Sequence, residues 1–299
     1  MKTHMTLIRK SIFRSVATSL LCTAAFCFCL RDQARAQLYV GEDGSSGVVG
    51  EYNPNTGRPI NPNFITGLNT PSGLAFSGNN LLVADTGNNR VSEYDATTGT
   101  VVNANFITGL SGPFGLVVSN NRLYVANSSN GSIGLYNAIT GAAINPAFIT
   151  DSLSGPSGLV LLGNRLYVSD QIHNSVSVYN ANTGATINDG LISGLNRPIG
   201  LAISGGNTLL VDQFNSNSVS EFNPFTGVLI NANFITGLNG PFALARLGNN
   251  LYVANFNSNS IGEYDASTGA TINPSFVRRL VGPPDSLAAR RPTDSPSVY

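Results

Sequence analysis

Oxygen-bearing side chains recur along this chain at an interval of about 42 residues: Glu42, Asp85, Asn127, Asp170, Gln213 and Asn255, with Asp212 one position ahead of Gln213. Carboxylates and amides supply the hard oxygen ligands that Ca²⁺ takes, six to eight at a time. If the fold gathers these positions around one axis, Glu42, Asp85, Asp170 and Asp212 are the candidate metal ligands. The same residue types also cap turns by accepting backbone N–H groups. A residue present in every copy suits a job repeated in every copy, so both readings stand. Other positions occur once or twice. His173 is the sole histidine after residue 36, in the loop Gln171-Ile172-His173-Asn174-Ser175, where it is either solvated or a general base. Phe214 and Phe256 replace polar residues at the same loop position of two successive copies, which suits a binding surface. Arg246 stands where other copies place Phe76, Val118, Leu161 and Ile203. It either snorkels to solvent or forms an anion site in a channel. His173, Phe214, Phe256 and Arg246 are thus the candidate ligand-binding residues.

No catalytic set is legible. G-x-S-x-G and H-E-x-x-H are absent. The serines fall in polar loops, and the sequence places no base beside them. All three cysteines (Cys22, Cys27, Cys29) lie within the first 36 residues.

These side chains must be positioned by repeats. Copies run over Gln37–Thr66 (partial), Gly67–Thr108, Gly109–Thr150, Asp151–Ser193, Gly194–Thr236 and Gly237–Arg278. A period of about 42 residues decides the architecture before any finer feature. Each copy holds four short segments rich in Val, Ile, Leu, Tyr and Phe, bounded by Gly, Asn, Asp and Pro, which is the pattern of strands and turns. The first follows Pro71, Pro113, Pro156, Pro198, Pro241 or Pro283, where a missing N–H costs no ladder bond. Between the third and fourth, Asp95-Ala96-Thr97-Thr98-Gly99 and its relatives predict a type I turn with a left-handed exit at Gly. After position 36 no segment shows a helical apolar stripe. Tandem four-stranded units of this length predict an all-β propeller of four-stranded antiparallel blades. The first copy lacks its first strand, and Leu280–Ala289 reads like the opening of a further copy with one residue inserted. A carboxyl-terminal strand completing the amino-terminal blade gives six blades.

P-x-G-L-A, then N-L-L-V-A-D, then N-R-V-x-x-Y-D, carried by Pro71, Gly73, Leu74, Ala75, Leu82, Val83, Ala84, Asp85, Asn89, Arg90, Val91, Tyr94 and Asp95, resembles the NHL repeat. The T-G-x-x-I-N-x-x-F-I-T-G-L stretch is similar to that of exported bacterial propellers. The resemblance implies a six-bladed propeller and leaves function open. NHL-like propellers include protein- and RNA-binding modules, and related six-bladed folds include lactonases and lyases. Some exported propellers end in an apolar sorting tail, which Ala289–Tyr299 does not match.

Composition narrows the classes. Charged residues make up 11% of the chain, against about 25% in typical soluble domains. After residue 36 there are ten arginines, no lysine and fifteen acids, a net charge of about −5. That disfavours nucleic acid, which needs clustered Lys and Arg, and an anionic membrane surface. Residues 1–36 combine a basic start, an apolar stretch Val16–Leu30 and Ala34-Arg35-Ala36, the pattern of a secretory leader cut after Ala36. The apolar stretch falls short of the roughly 20 residues that span a bilayer, so no stable membrane anchor is expected. The expected organisation is leader 1–36, propeller 37–290 and disordered tail 291–299. The expected protein is a secreted or periplasmic, monomeric, non-catalytic scaffold that binds a protein, glycan or small molecule on its loop face. The alternative is a Ca²⁺-dependent lactonase, hydrolase or lyase of the gluconolactonase-like class using Glu42, Asp85, Asp170 or Asp212. With a single histidine, a lyase mechanism built on paired histidines is not available.

Overall fold

The computed structural model describes residues 36–42, 47–278, 280 and 284–290. The expected leader up to Arg35, its cysteines and the tail beyond Arg290 lie outside the described residues. Short alternating segments become strands throughout. Blade 1 holds β1 (Gln37–Glu42), β2 (Val48–Tyr52) and β3 (Pro59–Ile65). Blade 2 holds β4 (Pro71–Ser77), β5 (Asn80–Asp85), β6 (Arg90–Asp95) and β7 (Val101–Ile107). Blade 3 holds β8 (Pro113–Ser119), β9 (Arg122–Asn127), β10 (Ser132–Asn137) and β11 (Ala143–Ile149). Blade 4 holds β12 (Pro156–Leu162), β13 (Arg165–Asp170), β14 (Ser175–Asn180) and β15 (Thr186–Ile192). Blade 5 holds β16 (Leu201–Ile203), β17 (Leu209–Gln213), β18 (Ser218–Phe222) and β19 (Leu229–Ile235). Blade 6 holds β20 (Pro241–Leu247), β21 (Asn250–Asn255), β22 (Ser260–Asp265) and β23 (Thr271–Arg278). The last strand is β24 (Pro284–Arg290).

Each blade is a four-stranded antiparallel sheet, and the sheet order β24-β1-β2-β3 shows the last strand completing the first blade. The inner strands β4, β8, β12, β16, β20 and β24 touch one another in a closed cycle. The molecule is a six-bladed propeller. Six apolar clusters fill it, each shared by two neighbouring blades. The cluster between blades 6 and 1 includes Leu287 from the closing strand. The register of β24 corrects one expectation. Pro284 pairs with Glu42, and Leu287 lies opposite Val40, as Pro71 pairs with Asp85 and Leu74 with Val83. Pro284, not Pro283, therefore opens the strand. Leu287 must face the core, and a slip of one residue would turn it outward. The inserted residue then falls within 281–283, outside the described residues.

The turn between third and fourth strands works as its sequence predicts. Asp95 Oδ1 accepts the N–H groups of Thr97 and Thr98 at 2.9 and 2.8 Å. Gly99 leaves the turn at φ 72°, and a Cβ there would come within 2.3 Å of Phe64 O in the preceding blade. The turn is thus also a blade-to-blade contact. Buried tyrosines on second strands make another. Tyr124 Oη donates to Ala181 O (2.6 Å), Tyr167 Oη to Pro224 O (2.9 Å) and Tyr252 Oη to Pro54 O (2.7 Å), the last across the closure. Fourth strands form the rim, where Ile60, Val102, Ile144, Ile187, Ile230 and Ile272 are about half exposed.

Candidate functional site

The ends of the second strands lie on one face, with the loops to the third strands and the connections from fourth to first strands. Their side-chain oxygens bind that connection. Asp85 Oδ1 accepts Asn69 N–H (2.7 Å), Asn127 Oδ1 accepts Ser111 N–H (3.3 Å), and Asp170 Oδ2 accepts Ser154 N–H (2.7 Å). Gln213 Oε1 accepts Asn196 N–H and Asn255 Oδ1 accepts Asn239 N–H, both at 3.1 Å. Asp85 also holds Asn88 and pairs with Arg90 at 2.7 Å. Asp170 takes the N–H groups of Gly155, Ile172 and His173. Glu42 Oε1 accepts Tyr52 Oη–H at 2.8 Å. Asp212 points to the other side of β17, where its Oδ1 accepts Ile199 N–H (3.0 Å) and Gly200 N–H (2.9 Å). Glu42, Asp85, Asp170 and Asp212 each serve their own blade, and the structure does not bring them together. Among the described residues, no group of three or more His, Cys, Asp or Glu side chains is placed to hold a metal ion.

Asp212 is fully buried, and its Oδ2 has no hydrogen-bond partner among the described residues. Burial pushes its carboxyl up to about 8 against the pull of the two N–H groups. Its second oxygen sits behind Gly200, where a Cβ would meet it at 2.5 Å. Ala84, Ala126, Ser169 and Ala254 occupy the matching position in other blades.

The two loop phenylalanines come together and recruit two more. Phe214 and Phe256 open short 3₁₀ turns with ring centroids 6.2 Å apart. Phe242 stacks on Phe256 at 5.0 Å and meets Phe214 edge-on at 6.0 Å. Phe114, from the blade opposite, reaches across the channel mouth to Phe242 at 5.8 Å. Arg197 lies over Phe214, its Cζ 4.5 Å from the ring centre, and its Nε donates to Gln171 Oε1 at 3.3 Å. Arg197 holds this place at φ 56°, where the matching residues of blades 3 and 6 are Gly112 and Gly240, also at positive φ. A side chain in that conformation costs about 1–2 kcal/mol, a cost that blade 2 also carries at Thr70, φ 49°. Reading the loops alone misses Phe114 and Phe242. Their signal is the residue after the strand-opening proline, which varies as Ser72, Phe114, Ser157, Ile199, Phe242 and Asp285 at a bulge of the inner strand. Bulges re-aim side chains at such rims.

His173 lies on the same face, half exposed, with Nδ1 3.1 Å from Asp170 Oδ2. Its Nε2 is 3.0 Å from Ser154 Oγ. The sequence places no base beside a serine, and the structure does. Ser154 reaches His173 because β12 and β13 are neighbours, a proximity hidden by a sequence separation of 19. Arg246 is not part of this face. Pro241 pairs with Asn255 at the loop end of β20, whereas Arg246 pairs with Leu251 near the opposite end. There it is exposed and donates to Gly248 O (2.9 Å) and Ser204 O (3.3 Å), so its guanidinium is taken up by backbone carbonyls.

Residues 45–273 match the family model described as Outer membrane protein assembly factor BamB. No curated protein matches the sequence. The fold is widely used, with 1069 matching solved chains, so structural likeness fixes architecture alone. One such chain, in a nidogen/laminin complex, superposes with a TM-score of 0.73 at 16% identity, covering 85% of this chain and 98% of that one. A gluconolactonase from Xanthomonas campestris superposes at 0.60 with 17% identity, covering 80% of this chain and 85% of that one. No helix among the described residues is long and apolar enough to cross a membrane.

Proposed function

The chain belongs to the family described as Outer membrane protein assembly factor BamB, and from that premise we propose that it is an exported binding module that engages a protein partner through the channel-mouth face. The leader-like residues 1–36 support export. The observation that carries the binding reading is the four-phenylalanine cluster capped by Arg197. The repeats are alike wherever folding explains them. They diverge where Phe114, Phe214, Phe242 and Phe256 meet, partly buried, at the channel mouth. Aromatic and arginine side chains concentrate binding energy at protein interfaces. The nidogen/laminin complex shows that this fold occurs within protein complexes. A Ca²⁺-dependent lactonase would need oxygens converging on one point, and here each candidate carboxylate is turned to its own blade.

The test is retention of partners from the exported proteins of the native host on immobilised protein. Phe214→Ala with Phe256→Ala is expected to lose a partner that the wild type keeps, by at least tenfold, since two interface anchors cost about 2 kcal/mol or more. The rim variant Ile230→Ala is expected to keep it. Equal retention by the double variant would overturn the reading.

A further inference from the structure

The contacts of His173 carry an inference that stands apart from protein binding, so either reading can fail without the other. From Asp170 Oδ2, His173 and Ser154 Oγ lying in one hydrogen-bonded line, we infer that Ser154 is a nucleophile toward carboxylic esters, with His173 as its base. His173 Nδ1 lies 3.1 Å from Asp170 Oδ2, which favours the tautomer with the proton on Nδ1 facing the carboxylate. That tautomer leaves Nε2 to accept Oγ–H of Ser154 at 3.0 Å. Nucleophile, base and a third group orienting the base within hydrogen-bond reach are the signature of an activated serine.

The scaffold makes this line in blade 2 as well, with inert groups. There Asp85 Oδ2 accepts from Asn88 Nδ2 (2.9 Å), and Asn88 Oδ1 accepts from Asn69 Nδ2 (3.5 Å). Asn69 and Ser154 hold matching positions, as do Asn88 and His173. Blade 4 keeps the geometry and replaces two amides by a hydroxyl and an imidazole. An amide cannot accept and return a proton in this role; an imidazole can. Asp170 is nearly fully buried and held by four backbone N–H groups, so it is a rigid positioning residue for the ring.

The step balances as follows. Ser154 Oγ bonds to the ester carbonyl carbon while its proton passes to His173 Nε2. The bond to the alcohol oxygen breaks, and the alcohol leaves with that proton. Water then attacks the acyl-serine, giving a proton to Nε2, which returns it to Ser154 Oγ as the carboxylic acid departs. The structure supplies nucleophile and base, so covalent capture at the serine is a more direct readout than turnover.

The experiment uses the full chain and a fluorophosphonate probe, whose phosphorus takes the place of the carbonyl carbon and whose fluoride leaves. Peptide mass spectrometry locates the adduct. The expected result is labelling at Ser154 and none at Ser111, the matching serine of blade 3, where Asn130 holds the position of the histidine. His173→Asn copies the amide of blade 2 and should fold. It is expected to slow labelling at least 100-fold, the lower end of what a general base contributes, and added imidazole should restore part of the rate. Asp170→Asn, checked for fold by circular dichroism, should slow labelling without moving it to another serine. An unlabelled wild type, equal labelling of Ser111, or an unchanged rate in His173→Asn would overturn the inference.

Discussion

Asp212 shows how one side chain can depart from its repeat and leave a measurable trace. Four other blades place Ala or Ser at its position, and a carboxyl fits there because Gly200 leaves room for Oδ2. Burial raises its folded-state value to about 8, above the ordinary carboxylate value of 3.8. Between these values the folded protein binds the proton and the unfolded chain releases it, so the stability this group contributes falls as pH rises from about 4 to about 8. Asp212→Asn keeps an oxygen for Ile199 N–H and Gly200 N–H and cannot ionise. It is expected to flatten that part of the pH–stability curve and to raise the midpoint of denaturation at pH 8, as followed by urea unfolding across the range. A variant that keeps the wild-type slope would remove Asp212 as its source. Little of this was legible in the sequence, which marks Asp212 as single-copy and does not say which side of β17 it faces. The same holds for Ser154. Its meeting with His173 depends on strand pairing across 19 residues, and a serine in a polar loop carries no mark of that.

At the scale of elements, legibility was high, because each strand and turn is written in local chemistry. The turn at Asp95–Gly99 follows from an Asx acceptor at its start and a residue free to take φ 72° at its end. What local chemistry did not reveal is that the same glycine is needed twice, once for the turn and once for contact with the preceding blade. The proline that opens β24 was also ambiguous, since Pro283 and Pro284 are adjacent. Burial of Leu287 decides it. That strand is expected to hold the ring shut. Leu287→Ala should cost about 2–5 kcal/mol, the usual penalty for emptying a core leucine site. Ile230→Ala on the rim should stay within about 0.5 kcal/mol. Chemical denaturation of both measures the difference, and a Leu287 variant as stable as the rim variant would mean that β24 does not bear on closure.

At the scale of the whole molecule, repetition makes the architecture legible and hides the function. Six blades share their strands, turns and apolar clusters, so most of the sequence answers to folding. The remainder lies on one face: Phe114, Phe214, Phe242 and Phe256 around the channel mouth, Arg197 beside them, and His173 with Ser154 one blade away. Arg246, which the sequence ranked with these, sits at the opposite end of its strand, a separation that only the register reveals. The central claim is that this face, and not the opposite one, meets the partner. Site-specific photo-crosslinking in the native host tests it most directly, with a benzophenone amino acid replacing Phe256 in one protein and Leu247, at the far end of β20, in another. A discrete crosslinked protein from position 256 and none from position 247 is the expected result. A crosslink from position 247, or none from position 256, would contradict it.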